Sequence, residues 1–143
     1  MIRKANIEDL KTLTALALKL WPDHDGAELE ADLSAILALS DAAFFLAEED
    51  GAVGFAQCQL RHDYVEGTEG SPVGYLEGIF VEEACRGKGI AKGLLSACEC
   101  WAREQGCAEF ASDCELSNRD SLRFHLNVGF QEANRIICFV KKL

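Results

Sequence analysis

Residues 80–95, FVEEACRGKGIAKGLL, join an apolar run to a helix-like run through a turn carrying Arg86, Gly87, Lys88 and Gly89. Glycine leaves its backbone amide uncovered, and amides at the start of a helix gather anions through unpaired N–H groups and the helix dipole. The turn is therefore a candidate anion site. Two carboxylates have types suited to cation and proton chemistry. Glu77 stands among Tyr75, Leu76, Ile79, Phe80 and Val81, an unusual setting for a charge, and Asp113 ends the short segment AEFASD. A carboxylate that binds an ammonium can also take the proton an amine must lose before it attacks. Residue type alone leaves plainer readings open: Glu77 solvated on the wet face of a strand, and Asp113 capping the loop before Ser117.

These groups need a scaffold, and 143 residues make one domain of ordinary size, residues 1–143. Asn6 with Asp9 three residues on reads as a helix cap, and Leu10, Leu13, Ala17 and Leu20 then share a face until WPDHDG stops the helix. Leu29, Leu33, Ile36 and Leu37 predict a second helix over 27–39. AAFFLAEE and AVGFAQCQLR read as antiparallel strands joined at Asp50-Gly51, a dipeptide suited to a tight hairpin. GYLEGIFV is a third strand, the glycine turn opens a helix that Gly106 closes, and AEFASD is a short strand. Ser117 with Asp120 suggests a cap for a helix ended by Gly129, and RIICFVKK reads as a final strand. The class is α/β (α+β), with a mixed, mostly antiparallel sheet flanked by helices.

Composition narrows the chemistry. Twenty-four acidic against 14 basic residues give a formal net charge of −10, which repels phosphate backbones and attracts cations. Nucleic acid is not the expected partner. The seven cysteines form no C-x-x-C pair and have no histidine at zinc-finger spacing, so reduced, packed thiols and no metal are expected. Charges interrupt the apolar stretch near the N-terminus and no cleavage site follows, so neither a signal peptide nor a membrane span is expected, and the cytoplasm is.

The glycine turn does not fit a dinucleotide fingerprint, because Lys92 stands where a third glycine belongs, nor a P-loop, whose glycine spacing and Ser or Thr are absent. Arg86, Gly89 and Ala91 after a strand form R-x-x-G-x-A, which resembles the pyrophosphate loop of the GNAT superfamily of acyl-CoA N-acetyltransferases. Asn118, Ser121, Phe124, His125 and Gly129-Phe130 resemble that family's N-x-x-A-x-x-(F/L)-Y-x-x-x-G-F segment, with His125 at the usual tyrosine. WPDHD, RHDYV, SPV, LEGIFV, ASD and GF are similar to a subgroup of bacterial aminoglycoside 6'-N-acetyltransferases.

The resemblance implies a sheet with a V-shaped split between two central parallel strands, acetyl-CoA as co-substrate, and direct acetyl transfer to a primary amine of an aminoglycoside, a resistance activity. It implies cofactor contacts from Ile79, Val81, Arg86, Gly87, Lys88, Gly89, Ile90, Ala91 and Asn118. Glu77 would be the general base, Asp113 an ammonium anchor, and His125 a proton donor to the departing thiolate or a packed core group. Trp21 and Tyr64 offer flat faces to a sugar or cation, with core packing an equal reading for Trp21. It also implies a homodimer paired through the C-terminal region. Rival readings are a GNAT enzyme for polyamines or protein N-termini, and an acyl-CoA-binding module without activity.

Overall fold

The computed structural model describes all residues from Met1 to Leu143. Its sheet has five strands in the order β1-β2-β3-β4-β5: Ile2–Lys4, Ala42–Glu48, Ala52–Arg61, Val73–Val81 and Phe110–Ser112. The first four are antiparallel neighbours and β5 runs parallel to β4. Four helices accompany them: α1 Leu10–Leu20, α2 Gly26–Leu37, α3 Ile90–Glu104 and α4 Arg119–Asn127.

The unbroken apolar run of β2 is explained by burial on both faces. Phe44 and Leu46 join Leu13, Leu16, Leu29 and Leu33 under α1 and α2, while Ala43, Phe45 and Ala47 join Leu94, Leu95, Cys98 and Trp101 under α3. Successive side chains point to opposite faces, so one strand serves both cores. The β2–β3 hairpin turns through Gly51 at φ 130°, as Asp50-Gly51 predicts. The Asn6–Asp9 capping box is present, spanning a single 3-10 turn before α1.

β4 changes phase along its length. Gln57 pairs with Gly78 and Cys58 with Leu76, so Glu77 is an extra residue with no partner on β3. Such a bulge bends the strand and re-aims the side chain it carries. It explains how Leu76, Ile79 and Val81 all pack toward the α3 core although Leu76 and Ile79 are three apart. On the other side β4 pairs with β5 only at Gly74, Tyr75 and Leu76. From Glu77 to Val81 that edge of β4 has no strand beside it.

Three expectations change. Ile2–Lys4 forms an edge strand that its three residues do not announce by periodicity. The cap of α4 is Asn118, whose side chain accepts from the Ser121 N–H, rather than Ser117. RIICFVKK forms no strand: residues 131–143 carry no secondary structure, and within one chain β5 is the sheet edge. The tail passes the loop 62–72, where Asn134 donates to Glu66 at 2.9 Å.

Candidate functional site

Gly89, the N-cap of α3, sits at φ 83°, two residues after Gly87 at φ 78°. A Cβ added at either would meet nothing within 4 Å, so backbone conformation and open space, not packing, call for glycine here. No side chain caps the helix, leaving its first N–H groups free for an anion. A cavity of about 200 Å³ opens at this end, lined by Val81, Arg86, Gly87, Gly89, Ile90 and Ala91. Lys92, Cys85, Phe124 and Val128 complete its wall. Residue type and geometry here fit a phosphate-bearing ligand with an apolar arm.

The two basic residues of the turn do different things. Arg86 donates from Nε to the Val81 carbonyl at 2.8 Å, bracing the turn against β4. Lys88 swings to Glu49, 3.7 Å away, on the far side of the loop. Lys92 therefore replaces Lys88 as the lysine beside the cavity.

From Val81 the free edge of β4 runs back four residues to Glu77, about 13 Å of strand. Arg61, the last residue of β3, holds both Glu77 carboxylate oxygens, Nη2 lying 2.9 Å from Oε1 and 3.0 Å from Oε2. The same guanidinium lies 3.5 Å over the centre of the Tyr75 ring. The Tyr75 hydroxyl donates to the Asp113 carboxylate through a short hydrogen bond. Partial burial, then that hydrogen bond, push the Tyr75 phenol well above the usual tyrosine range, so it stays a donor. Glu77 and Asp113 thus belong to one chain of contacts, Glu77–Arg61–Tyr75–Asp113, with a carboxylate at each end.

The remaining predicted residues divide. Trp21 covers Gly78, where a Cβ would come within 2.6 Å of its ring, and meets Phe55 edge-on at 6.1 Å. It packs against the bulged stretch of β4 and is left half-buried. Tyr64, by contrast, is 76% exposed on the loop before β4. Asn118 is engaged in capping α4 and does not line the cavity. Ile79 lies half-buried on the unpaired stretch of β4.

His125 is oriented by serines on both sides. Its Nδ1 lies 2.7 Å from the Ser121 carbonyl, which can only accept, so Nδ1 carries the proton. Nε2 lies 2.7 Å from Ser112 Oγ, which also faces the Leu76 carbonyl at 3.5 Å. Ser112 is the last β5 residue paired with β4, where the two strands part. Phe124 and Phe130 flank the imidazole, with ring centres 5.6 and 5.1 Å away. The imidazole is thus held at both nitrogens and between two aromatic rings.

Arg61, Tyr75, Ser112 and Lys92 were not singled out by sequence. Arg61 begins RHDYV, a stretch already distinguished, but its partner Glu77 is sixteen residues away and meets it only through the β3–β4 pairing.

Comparison with known proteins follows the same lines. The model of the acetyltransferase (GNAT) family matches residues 8–130. Aminoglycoside N(6')-acetyltransferase type 1 of Stenotrophomonas maltophilia is 44% identical over 140 residues, 96% of this chain and 90% of that protein. The protein of the same name from Salmonella enteritidis is 43% identical over 143 residues, 99% of this chain and 98% of its own. The structure of AAC(6')-Iy in complex with the bisubstrate analogue CoA-S-monomethyl-acetylneamine superposes with a TM-score of 0.96 at 41% identity, covering 100% of this chain and 98% of that one. The turn after β4, the parting of β4 from β5 and these likenesses agree, and the chain belongs to the GNAT acetyltransferase family.

Proposed function

We propose that this protein transfers the acetyl group of acetyl-CoA to the 6'-amine of an aminoglycoside, an activity that confers antibiotic resistance. The observation that carries the reading is the line from an uncapped helix start, along an unpaired edge of β4, to two carboxylates linked through Arg61 and Tyr75. The relatives named above, similar along nearly their whole length, support the acceptor class.

In this reading the amides at Gly87, Gly89, Ile90 and Ala91 hold the pyrophosphate of acetyl-CoA, and the free backbone of β4 near Ile79 and Val81 pairs with its extended arm. Backbone N–H groups there also meet the negative charge that develops on the thioester oxygen. Asp113 anchors an ammonium and Glu77 accepts the proton of the attacking amine. Tyr64 lies over the acceptor from the 62–72 loop. None of the seven cysteines hydrogen-bonds a histidine, which favours direct attack in a ternary complex over an acetyl-cysteine intermediate. Holding both reactants lowers the barrier by roughly 7–11 kcal/mol when they are well aligned. The net charge of −10 concentrates polycations around the molecule.

A screen of acceptors for free-thiol release from acetyl-CoA tests this. Aminoglycosides with a 6'-amine should turn over, and those with a 6'-hydroxyl should not. Acetyl-CoA binding with no turnover on any amine would make the protein a binding module instead.

The functional unit is proposed as a homodimer acting in the cytoplasm, where acetyl-CoA is at hand. Ile136, Ile137, Phe139 and Val140 are 73% to 94% exposed on an extended tail, and the outer edge of β5 is open, so a second copy offers each what it lacks. Light scattering should give the mass of two chains, and removal of residues 135–143 should give one.

A further inference from the structure

The loop 62–72 carries Tyr64 between β3 and β4, and its backbone is tied to the strands around it. Next to Tyr64, Val65 is buried against Val73 and Tyr75, the same tyrosine whose hydroxyl is turned to Asp113. Ser71 Oγ donates to the His62 carbonyl at 3.0 Å and closes the base of the loop. The remaining tie to the sheet is Glu109, whose Oε1 accepts from the backbone N–H of Glu69 at 2.9 Å and from that of Gly70 at 2.8 Å. Two successive N–H groups converging on one point make a concavity that suits an anion, so a carboxylate fits there. Glu109 is itself fixed, because its carbonyl accepts from the Gly74 N–H of β4 at 3.1 Å. It directly precedes β5, and Asp113 directly follows that strand. One side chain thus joins the loop that carries Tyr64 to the strand that leads to Asp113.

We infer that Glu109 is a positioning residue for the acceptor: it holds the loop 62–72 against the start of β5, so that Tyr64 is set relative to Asp113 before the substrate arrives. The inference rests on the reading of Tyr64 and Asp113 as acceptor contacts. A loop that the substrate had to order would subtract its lost conformational entropy from the binding energy, and a loop already held does not. That difference belongs to binding rather than to the chemical step. It therefore appears in KM for the acceptor and leaves kcat in place.

The test measures kcat and KM for an aminoglycoside with a 6'-amine, and acetyl-CoA affinity by calorimetry, in Glu109→Ala, Glu109→Gln, Tyr64→Ala and the combined Glu109→Ala, Tyr64→Ala variant. Glu109→Ala should raise KM about 5-fold, with kcat and acetyl-CoA affinity near wild type. Glutamine keeps an accepting oxygen in the same place without the charge, so Glu109→Gln should recover most of the loss. Tyr64→Ala should also raise KM, and the combined variant should be little worse than Tyr64→Ala alone, because a residue that acts through the loop loses its effect with the contact it places. Should Glu109→Ala melt too low to assay, Glu109→Asp, one methylene short of the loop amides, carries the same expectation. An equal loss in the alanine and glutamine variants would mean that the Glu109 charge draws the polycation directly, and fully additive effects in the combined variant would mean that Glu109 does not act through Tyr64; either result overturns the inference. If Tyr64→Ala keeps the wild-type KM, the acceptor reading of the loop has failed and the inference falls with it. If Tyr64→Ala is impaired while Glu109→Ala is not, the positioning alone is wrong.

Discussion

Around Gly87 and Gly89 the cleft is made of backbone, whereas around Glu77 it is made of side chains that three strands bring together. The first half depends on two glycines at φ 78° and 83° and the bare start of α3. The second depends on Arg61 from β3, Tyr75 and Glu77 from β4, and Asp113 just beyond β5. Backbone donors are fixed in charge and direction by the local conformation. Side-chain groups exchange partners and protons, as acid–base chemistry requires. A cofactor common to many reactions suits the first kind of site, and a variable cationic acceptor suits the second.

The comparison predicts that damage to the side-chain half appears in rate and damage to the backbone half in cofactor affinity. The largest effect is expected for Glu77→Gln, which keeps shape and loses the proton acceptor: kcat should fall about 10²–10⁴-fold. An acceptor whose amine has a lower pKa should recover part of that loss. Asp113→Asn in the same half should chiefly raise KM for the aminoglycoside, because its attraction exists before the transition state, and acetyl-CoA binding should stay near the wild-type value. Steady-state kinetics of both variants check this; an unimpaired Glu77→Gln would move the base elsewhere in the cleft.

A smaller effect is expected in the other half. Valine at position 89 must adopt a positive φ that a β-branched residue strongly resists, at a local strain of about 1–3 kcal/mol. No neighbouring atom lies within 4 Å of the new Cβ, so the core is untouched. Gly89→Val should stay folded and bind acetyl-CoA about 10-fold more weakly by calorimetry, as the helix start is tilted away from the phosphate. Equal affinity in a folded variant would separate the turn from the pyrophosphate.

Legibility in the sequence follows the same division. The capping box at Asn6 and Asp9, the Asp50-Gly51 hairpin and the glycine turn are local, and each stands where its residues predict. The two-sided burial of β2 is also local in origin, since an unbroken apolar run has no wet face. Glu77 was conspicuous as a carboxylate in an apolar strand, but the cause, one unpaired residue opposite Gln57 and Cys58, is a property of the β3–β4 register. Arg61 and Tyr75 became site residues only through that register and the parallel placement of β5. Trp21 suits a core and a binding face equally because it follows a helix; Gly78, by lacking a side chain, makes room for the indole, which is left half-buried. RIICFVKK has the composition of a strand, but a strand forms only where its backbone is paired, and residues 131–143 pair with no strand of the sheet.

The smallest effect sharpens the contrast, because the side-chain half holds Tyr75, whose phenol the fold shifts. Burial and the hydrogen bond to Asp113 raise the folded-state phenol of Tyr75 above its unfolded value of about 10. A raised value means that the folded protein holds the proton more tightly than the unfolded chain. The resulting stabilisation is fully present below about pH 10 and is lost as the pH climbs from there toward the folded value. Thermal melts should therefore decline on the alkaline side, and Tyr75→Phe, with no proton to lose, should show a shallower decline over the same range. The chain has two tyrosines, so absorbance of tyrosinate can be followed with little overlap. The component that resists ionisation until the protein unfolds should vanish in Tyr75→Phe. If that component stays, Tyr75 is not the buried donor, and the contact that ties Asp113 to Arg61 and Glu77 is absent in solution.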